Sequence, residues 1–426
     1  MKRLIALSIA FALVAAAAFA EVSVGGSVVG NWEVVSGDDK EDSKLQTKWG
    51  MAPSKSALAP VRSRVNVTAT NEDGNFGGWI QLRPGEPYHY LSNIWWQPLD
   101  VMKITLGYFW GGGNPNVGVI TFNDDILPPR MYGRNGWKGD NYRGILNGWG
   151  YEVCSGTSLE LFPIENLYIA VTVPTKEGGD IAEHVFAHTM GRVAYTITDI
   201  GQLVLSFAGG TGKLDSSDSV LVKPDTFIKG VLSPFDGLAG DSNRVALGFT
   251  LTAVENLGLY AGFEMPFVST EEFVTEKVEY QPAMEASLRA NFKAGAFNVA
   301  GGVLFSVGQK ATWKPDSGDS YSIDGGMAIG ATINPSYDLG IVILGFLGEF
   351  KYTSESKREH VVWNSYVEYN IMPYIQKNVG GGAVYAAFQI GSDVSADGTK
   401  VDGSDLKFKN KTHMSWSIPV GFEYWF

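Results

Sequence analysis

The chain of 426 residues contains a single cysteine, Cys154, so no internal disulfide can hold it together. It also lacks long apolar runs, and its mean hydropathy is −0.02. Beyond the N-terminal segment, the longest apolar run covers residues 339–348, about half the length that a membrane-spanning helix needs. No membrane helix is therefore expected. A run of this length does equal one tilted strand of a transmembrane β-barrel, roughly 9–11 residues.

Basic residues are also in deficit. Lys and Arg number 33 against 45 Asp and Glu, which gives a formal net charge of −12. An acidic chain argues against nucleic acid as a partner. Glycine and aromatic residues, in contrast, are abundant, with 52 Gly, 12 Trp, 18 Tyr and 23 Phe. This combination suits a large antiparallel sheet with aromatic girdles at two membrane interfaces.

The N-terminus has the organisation of an export signal. Met1-Lys-Arg is followed by an apolar stretch to Phe19, and Ala18-Phe-Ala20 supplies the small-x-small pattern of a cleavage site. We expect residues 1–20 to be a signal peptide and residues 21–426 to form one domain. The alternative is an N-terminal membrane anchor, but the apolar stretch is short for a spanning helix.

The last thirteen residues alternate with a period of two, which is the period of a strand. One face carries Met414, Trp416, Ile418, Val420, Phe422, Tyr424 and Phe426, and the other is mostly small or polar. This segment resembles the closing strand of bacterial outer-membrane β-barrels, which typically ends in Phe with aromatics at alternate positions. The resemblance implies that Phe422, Tyr424 and Phe426 form the signal that the barrel assembly machinery recognises. The alternation turns these three side chains toward lipid and Glu423 inward.

Strand-like segments recur along the rest of the chain and total eighteen, with sixteen as the competing number. Short turns alternate with long polar connections, an arrangement typical of an outer-membrane barrel. An even number places both termini on the same, periplasmic side. The predicted strands 361–370 and 383–391 flank a longer turn around Pro373. The expected fold is all-β, a transmembrane antiparallel barrel.

Several strands carry arginine on their polar face. Arg62 and Arg64 share a face with Asn66, and Arg289 shares one with Glu285. An arginine facing lipid near the bilayer midplane costs roughly 2–4 kcal/mol, so these side chains should face a polar interior. A barrel of 16–18 strands is too wide for its own side chains to fill. We therefore predict a water-filled pore with Arg62, Arg64, Arg83 and Arg289 in its wall; for each of them a position near the rim is the alternative.

The connection after the fifth strand, residues 111–149, is long and rich in aromatic and apolar residues, which favours an ordered, functional segment. Here the chain resembles general porins, in which this loop folds into the barrel and sets acidic residues against wall arginines. The resemblance implies a constriction loop with Asp124 and Asp125 as the acidic groups and Arg130 and Arg134 as its cations. The alternative is an outward surface loop.

No catalytic or cofactor motif stands out. Gly209-Gly-Thr-Gly-Lys213 is not a P-loop, because Phe207 occupies a position that requires glycine. His184 and His188 have a spacing that binds metal only on a helix, and their region is predicted to be loop and strand. We expect no enzyme activity, no cofactor and no metal.

The sequence thus predicts a porin of the bacterial outer membrane that admits ions and small hydrophilic solutes by passive diffusion. Its partners would be outer-membrane lipid, the assembly machinery and those solutes, and the porin resemblance implies a homotrimer. The rival hypothesis is a surface-exposed adhesin or structural barrel with a closed lumen.

Overall fold

The structure is a computed structural model. It describes residues 20–39, 45–51, 63–83, 91–113, 153–175, 186–210, 243–267, 276–281, 284–308, 310–315, 321–358, 361–402 and 405–426. Residues 1–19, which hold most of the predicted signal peptide, lie outside this set, and the signal peptide stays a prediction.

Within the described residues, eighteen antiparallel strands follow one another around a closed barrel, as the sequence predicts. They are β1 Ala20–Asp38, β2 Arg64–Asn71, β3 Phe76–Leu82, β4 Leu91–Leu99, β5 Met102–Trp110, β6 Val153–Leu161, β7 Leu167–Pro174, β8 Met190–Ile197, β9 Gly201–Ala208, β10 Asn243–Leu251, β11 Leu257–Phe267, β12 Met284–Ala294, β13 Phe297–Val307, β14 Met327–Asp338, β15 Ile343–Thr353, β16 Tyr366–Val379, β17 Gly382–Ala387 continued by Gln389–Asp402, and β18 Asp405–Trp425.

The barrel closes between its first and last strands. β1 pairs antiparallel with β18, with Val29 opposite Glu423, and antiparallel with β2, with Ser27 opposite Arg64. A bulge between Glu33 and Val35 shifts the register of the β1–β18 pair. Closure removes the unpaired edges that a sheet would otherwise present to lipid.

The two faces of the wall differ sharply. On β12, Leu288 is 46% exposed and faces outward, whereas the next residue, Arg289, is 1% exposed and faces inward. The same alternation holds on β18, where Tyr424 is 50% exposed and Glu423 is 4% exposed. The outward residues along the strands are large and apolar, as the outer belt of a membrane barrel requires. The predicted orientation of Phe422, Tyr424 and Phe426 is confirmed, since all three lie on the exposed face.

The short turns follow local backbone chemistry. Asn166 and Asn256 end similar turns, directly before the strands that begin at Leu167 and Leu257, and adopt φ of 68° and 63°, which Asn tolerates better than most residues. The predicted turn around Pro373 is wrong: β16 runs through it to Val379, and the turn is at Gly380 and Gly381. The proline lies beside the break within β17, where Phe388 N–H still donates to its carbonyl, so its missing N–H falls where the ladder is already interrupted.

Additional short strands, some of them within the predicted long loops, extend the barrel wall at the end away from the short turns. The strand Gln46–Met51 pairs with the C-terminal half of β1, whereas β2 pairs only with the N-terminal half. Glu276–Gln281, Lys310–Pro315, Tyr321–Asp324, Ser356–Arg358 and Val361–Trp363 pair in succession above β11 to β16. Sequence alternation is weak in these segments because they lie above the apolar belt, where neither face needs to be apolar.

Among the described residues, no helix is long and apolar enough to cross a membrane.

Candidate pore

The inner wall of the barrel carries charges of both signs. Its described carboxylates are Glu33, Glu160, Glu264, Glu285, Glu349, Glu368 and Glu423, and its described basic groups are Arg64, Arg83, Lys103, Arg192, Arg244, Arg289 and Lys351. Each of these residues occupies the inward phase of its strand. The outward face is largely apolar, so the charged side chains of the strands are concentrated on the inner face.

Two of the predicted wall arginines are neighbours. The β2–β3 register, with Val65 opposite Leu82, sets Arg64 across from Arg83 on the inner face. Arg83 Nε donates a hydrogen bond of 2.8 Å to Gln81 Oε1, and Gln81 Nε2 donates one of 2.9 Å to Asn66 Oδ1. This chain of side chains fixes the Arg83 guanidinium against the wall and leaves a cationic patch on β2 and β3.

Arg289 lies elsewhere. It lies on β12, ten strands from Arg64 one way around the closed wall and eight the other, with its Cζ 5.8 Å from the centroid of the Tyr260 ring. Two carboxylates, Glu264 and Glu285, oppose each other two inward positions along β11 and β12. Arg244 Nη1 approaches Glu264 Oε1 at 3.9 Å. The three predicted arginines that the structure describes, Arg64, Arg83 and Arg289, therefore do not form one cluster, because strand order separates residues that share a face.

A directed hydrogen-bond ladder crosses the inner wall from β18 to β15. Ser417 Oγ donates to Gln389 Oε1 at 3.1 Å, Gln389 Nε2 to Asn370 Oδ1 at 2.8 Å, and Asn370 Nδ2 to Glu349 Oε2 at 2.7 Å. All four side chains are buried. Every bond points toward the Glu349 carboxylate, so the ladder stabilises its negative charge and ties four strands together.

The segment after β5 begins inside the barrel. Gly111 and Gly112 are buried, and Gly112 N–H donates a 3.1 Å hydrogen bond to Thr172 Oγ1 on the inner face of β7. Thr172 in turn donates to Ser158 at 3.0 Å. At Gly113, φ is 85°, and a Cβ there would overlap the Tyr168 hydroxyl and the Ala170 side chain. These glycines therefore let the backbone lie directly against the inner wall.

An apolar patch on the inner face of β7 to β10 adjoins this entry point. It consists of Tyr168, Ala170, Met190, Ala194, Val204, Ala208 and Ala246, all buried. The rest of the predicted constriction loop, including Asp124, Asp125, Arg130 and Arg134, lies outside the described residues, as does Arg62.

The alternation along the sequence predicts an inward Glu423 and places Glu285 on the face of Arg289. It does not single out the other wall carboxylates or Lys103, although the same period of two places them inward. Arginine stands out because it is costly in lipid, and glutamate on a strand is easily assigned to a rim. Among the described residues, no three His, Cys, Asp or Glu side chains are grouped to hold a metal ion.

The chain was compared with known protein families, curated proteins and solved structures. No protein-family model matches the sequence, and no curated protein matches it. Among solved structures, the chain is similar to an anion-selective porin of Comamonas acidovorans at 12% identity and a TM-score of 0.45, covering 96% of this chain and 100% of that one. It is also similar to the outer membrane channel DcaP of Acinetobacter baumannii (9% identity, TM-score 0.45, 96% and 98% covered) and to OccAB4 of the same organism (8%, 0.47, 95% and 98%).

The structure itself shows a closed antiparallel barrel with an apolar outer face. Such a barrel is the sheet structure that lipid accepts, because every backbone group is paired. In bacteria, barrels of this kind belong to the outer membrane, which is the location that the sequence predicts for this chain.

Proposed function

We propose that the protein is a passive diffusion channel that admits ions and small hydrophilic solutes through a water-filled, charge-lined pore. The observation that carries the proposal is the inner wall, which bears carboxylates, arginines and lysines inside a closed barrel with an apolar exterior. Eighteen strands enclose more space than wall side chains fill. Charged groups left unsolvated would cost several kcal/mol each, which favours water in the remaining space.

The entry of Gly112 into the barrel supports an inward constriction loop formed by residues 111–149. Its bond to Thr172 starts the segment on the lumen side, and the buried apolar patch next to it offers a surface for the apolar residues of that segment. In this proposal the loop narrows the pore and the wall charges filter solutes by size and charge. The homotrimer and the recognition of Phe422, Tyr424 and Phe426 by the assembly machinery remain predictions, as does the lack of enzyme activity.

Reconstitution in a planar lipid bilayer tests the function. We expect stable stepwise currents in potassium chloride. Folding of the same sample is checked by its heat-dependent migration in SDS gels. A correctly folded barrel that carries no current would overturn the channel and favour an adhesin or structural barrel with a closed lumen.

Charge reversal tests the cationic patch. The double variant Arg64→Glu, Arg83→Glu should raise the cation-to-anion permeability ratio several-fold at low salt. A unit charge about 10 Å from an ion shifts its energy by roughly 0.4 kcal/mol in water, and the double variant changes the wall by four unit charges. The measurement is the reversal potential in a salt gradient. Lys377→Glu, on the outward phase of β16, is the control, and an unchanged potential in the double variant would remove both arginines from the pore.

A further inference from the structure

Two tryptophans face the lumen on adjacent strands near the short-turn end of the barrel. Trp79 on β3 is opposite Asn93, and Trp95 on β4 is opposite Gly77. Their inward orientation follows from the strand phase, because the neighbouring outward residues Ile94 and Trp96 are exposed. Both inward indoles are half-buried, so part of each ring is accessible from the lumen.

The wall around them is recessed. A Cβ at Gly77 would overlap the Trp95 ring, so the absence of a side chain lets the indole lie against the sheet. Beyond Asn93, the same row of the inner wall continues with Gly107 and then Gly156. A row without side chains beside two aromatic rings leaves a shallow depression that can hold a ring-shaped solute.

A cation is held at the edge of this depression. Lys103 Nζ lies 5.4 Å from the centroid of the Trp95 ring and 3.9 Å from Glu160 Oε2. Glu160 is itself fixed by Tyr168, whose hydroxyl donates to Oε1 at 2.8 Å. The Lys103 side chain is 27% exposed, and no closer acceptor lies near its ammonium among the described residues. The ammonium is therefore positioned by Glu160 while its donors stay available.

The polar groups around the rings are also available. Within the described part of the chain, the Asn93 carboxamide, the Thr105 hydroxyl and the two indole N–H groups form no hydrogen bond. Asn93 and Thr105 share the inner face of β4 and β5 with Trp95 and Lys103. The arrangement combines flat apolar faces, several hydrogen-bonding groups and one cation.

We propose that this depression, called here the Trp95 site, binds the ring of a sugar acid such as a hexuronate. The apolar face of the sugar stacks on the Trp95 indole, its hydroxyls bond to Asn93 and Thr105, and its carboxylate accepts from Lys103 Nζ. A sugar acid supplies a partner for each of these groups. A neutral sugar has no carboxylate for Lys103, and a short aliphatic acid has no ring to stack on the indoles. The inference rests on the proposed function only in that the solute reaches the site through the lumen.

Equilibrium binding to the folded barrel in detergent micelles tests the site without requiring any current. The probe is glucuronate, titrated by saturation-transfer difference NMR, with glucose lacking the charge and acetate lacking the ring. We expect glucuronate to bind with a Kd on the order of millimolar and glucose and acetate to bind about tenfold more weakly.

Variants locate the binding. Trp95→Leu and Lys103→Met should each weaken glucuronate binding about tenfold, which is the effect of losing one good contact. Trp96→Leu is the matched control, because it removes the neighbouring indole on the outward face. If one of the two variants fails to fold, the other still tests the site.

Three outcomes would overturn the proposal. Equal binding of glucuronate and glucose would show that Lys103 has no role in recognition. Equal affinity for glucuronate in the wild type and in folded Lys103→Met would place the binding elsewhere. Displacement of bound glucuronate by a lower concentration of benzoate would assign the site to aromatic acids. A barrel that binds glucuronate but carries no current would refute the channel and keep the site, and a conducting barrel that does not bind would do the reverse.

Discussion

Replacing Leu288 by arginine should destabilise the barrel by about 2–4 kcal/mol, the cost of an arginine on the lipid face near the bilayer midplane. Leu288 is exposed on the outward face in the middle of β12. The free energy of unfolding in denaturant, measured with the barrel folded into lipid vesicles, reports the change.

The matched control is Ser287→Arg, one residue earlier on the same strand. Ser287 faces inward, opposite Gly262, and its hydroxyl is buried against the inner wall near Glu285. We expect this variant to destabilise the barrel less than Leu288→Arg does, because an arginine on the inner face can extend toward water and toward the Glu285 carboxylate, whereas one on the outer face meets lipid. Equal destabilisation by both variants would mean that the two faces are not lipid and water.

Replacing Asn370 by leucine should cost about 3 kcal/mol. Asn370 is buried in the middle of the ladder, and its loss leaves the Gln389 amide without its acceptor and removes a donor from the Glu349 carboxylate. Each buried polar group that loses its partner costs roughly 1–3 kcal/mol, and charged groups cost more. The same unfolding measurement applies.

Gln376→Leu is the control for the ladder. Gln376 lies on the same strand as Asn370 and donates a hydrogen bond of 2.7 Å to Asn378, as long as the Asn370–Glu349 bond but exposed to solvent. We expect it to change stability by no more than about 0.5 kcal/mol. If Asn370→Leu is as mild as Gln376→Leu, the ladder does not tie β15 to β18 in the folded barrel.

The strands could be predicted because lipid imposes a strict period of two on every spanning segment. Arg64 and Arg83 could be placed on one face from the same alternation, and the inward phase of Glu423 followed as directly. Proline misled the prediction at Pro373, because a break in the partner strand removes the need for its missing N–H. Local sequence near Pro373 carries no sign of a break that lies in another strand.

The composition of the site could be predicted only in part. The alternation along a strand assigns a residue to the inner wall, but the register between neighbouring strands decides which inward residues lie next to each other. The β1 bulge between Glu33 and Val35 and the pairing of Gln46–Met51 with β1 both change that stagger, and neither has a clear sequence signal. The separation of Arg289 from Arg64 follows from strand order, whereas the meeting of Lys103 with Trp95 required the register of the folded sheet.

In the proposed channel, the segment after Trp110 lies inside a water-filled barrel and narrows it. The decisive measurement is the single-channel conductance of the wild type and of a variant lacking residues 114–149, each shown to be folded. We expect stepwise currents from both proteins, with larger steps in the variant because the narrowest part of the path is removed. Steps of equal size would show that the segment lies outside the conducting path and would refute the proposal.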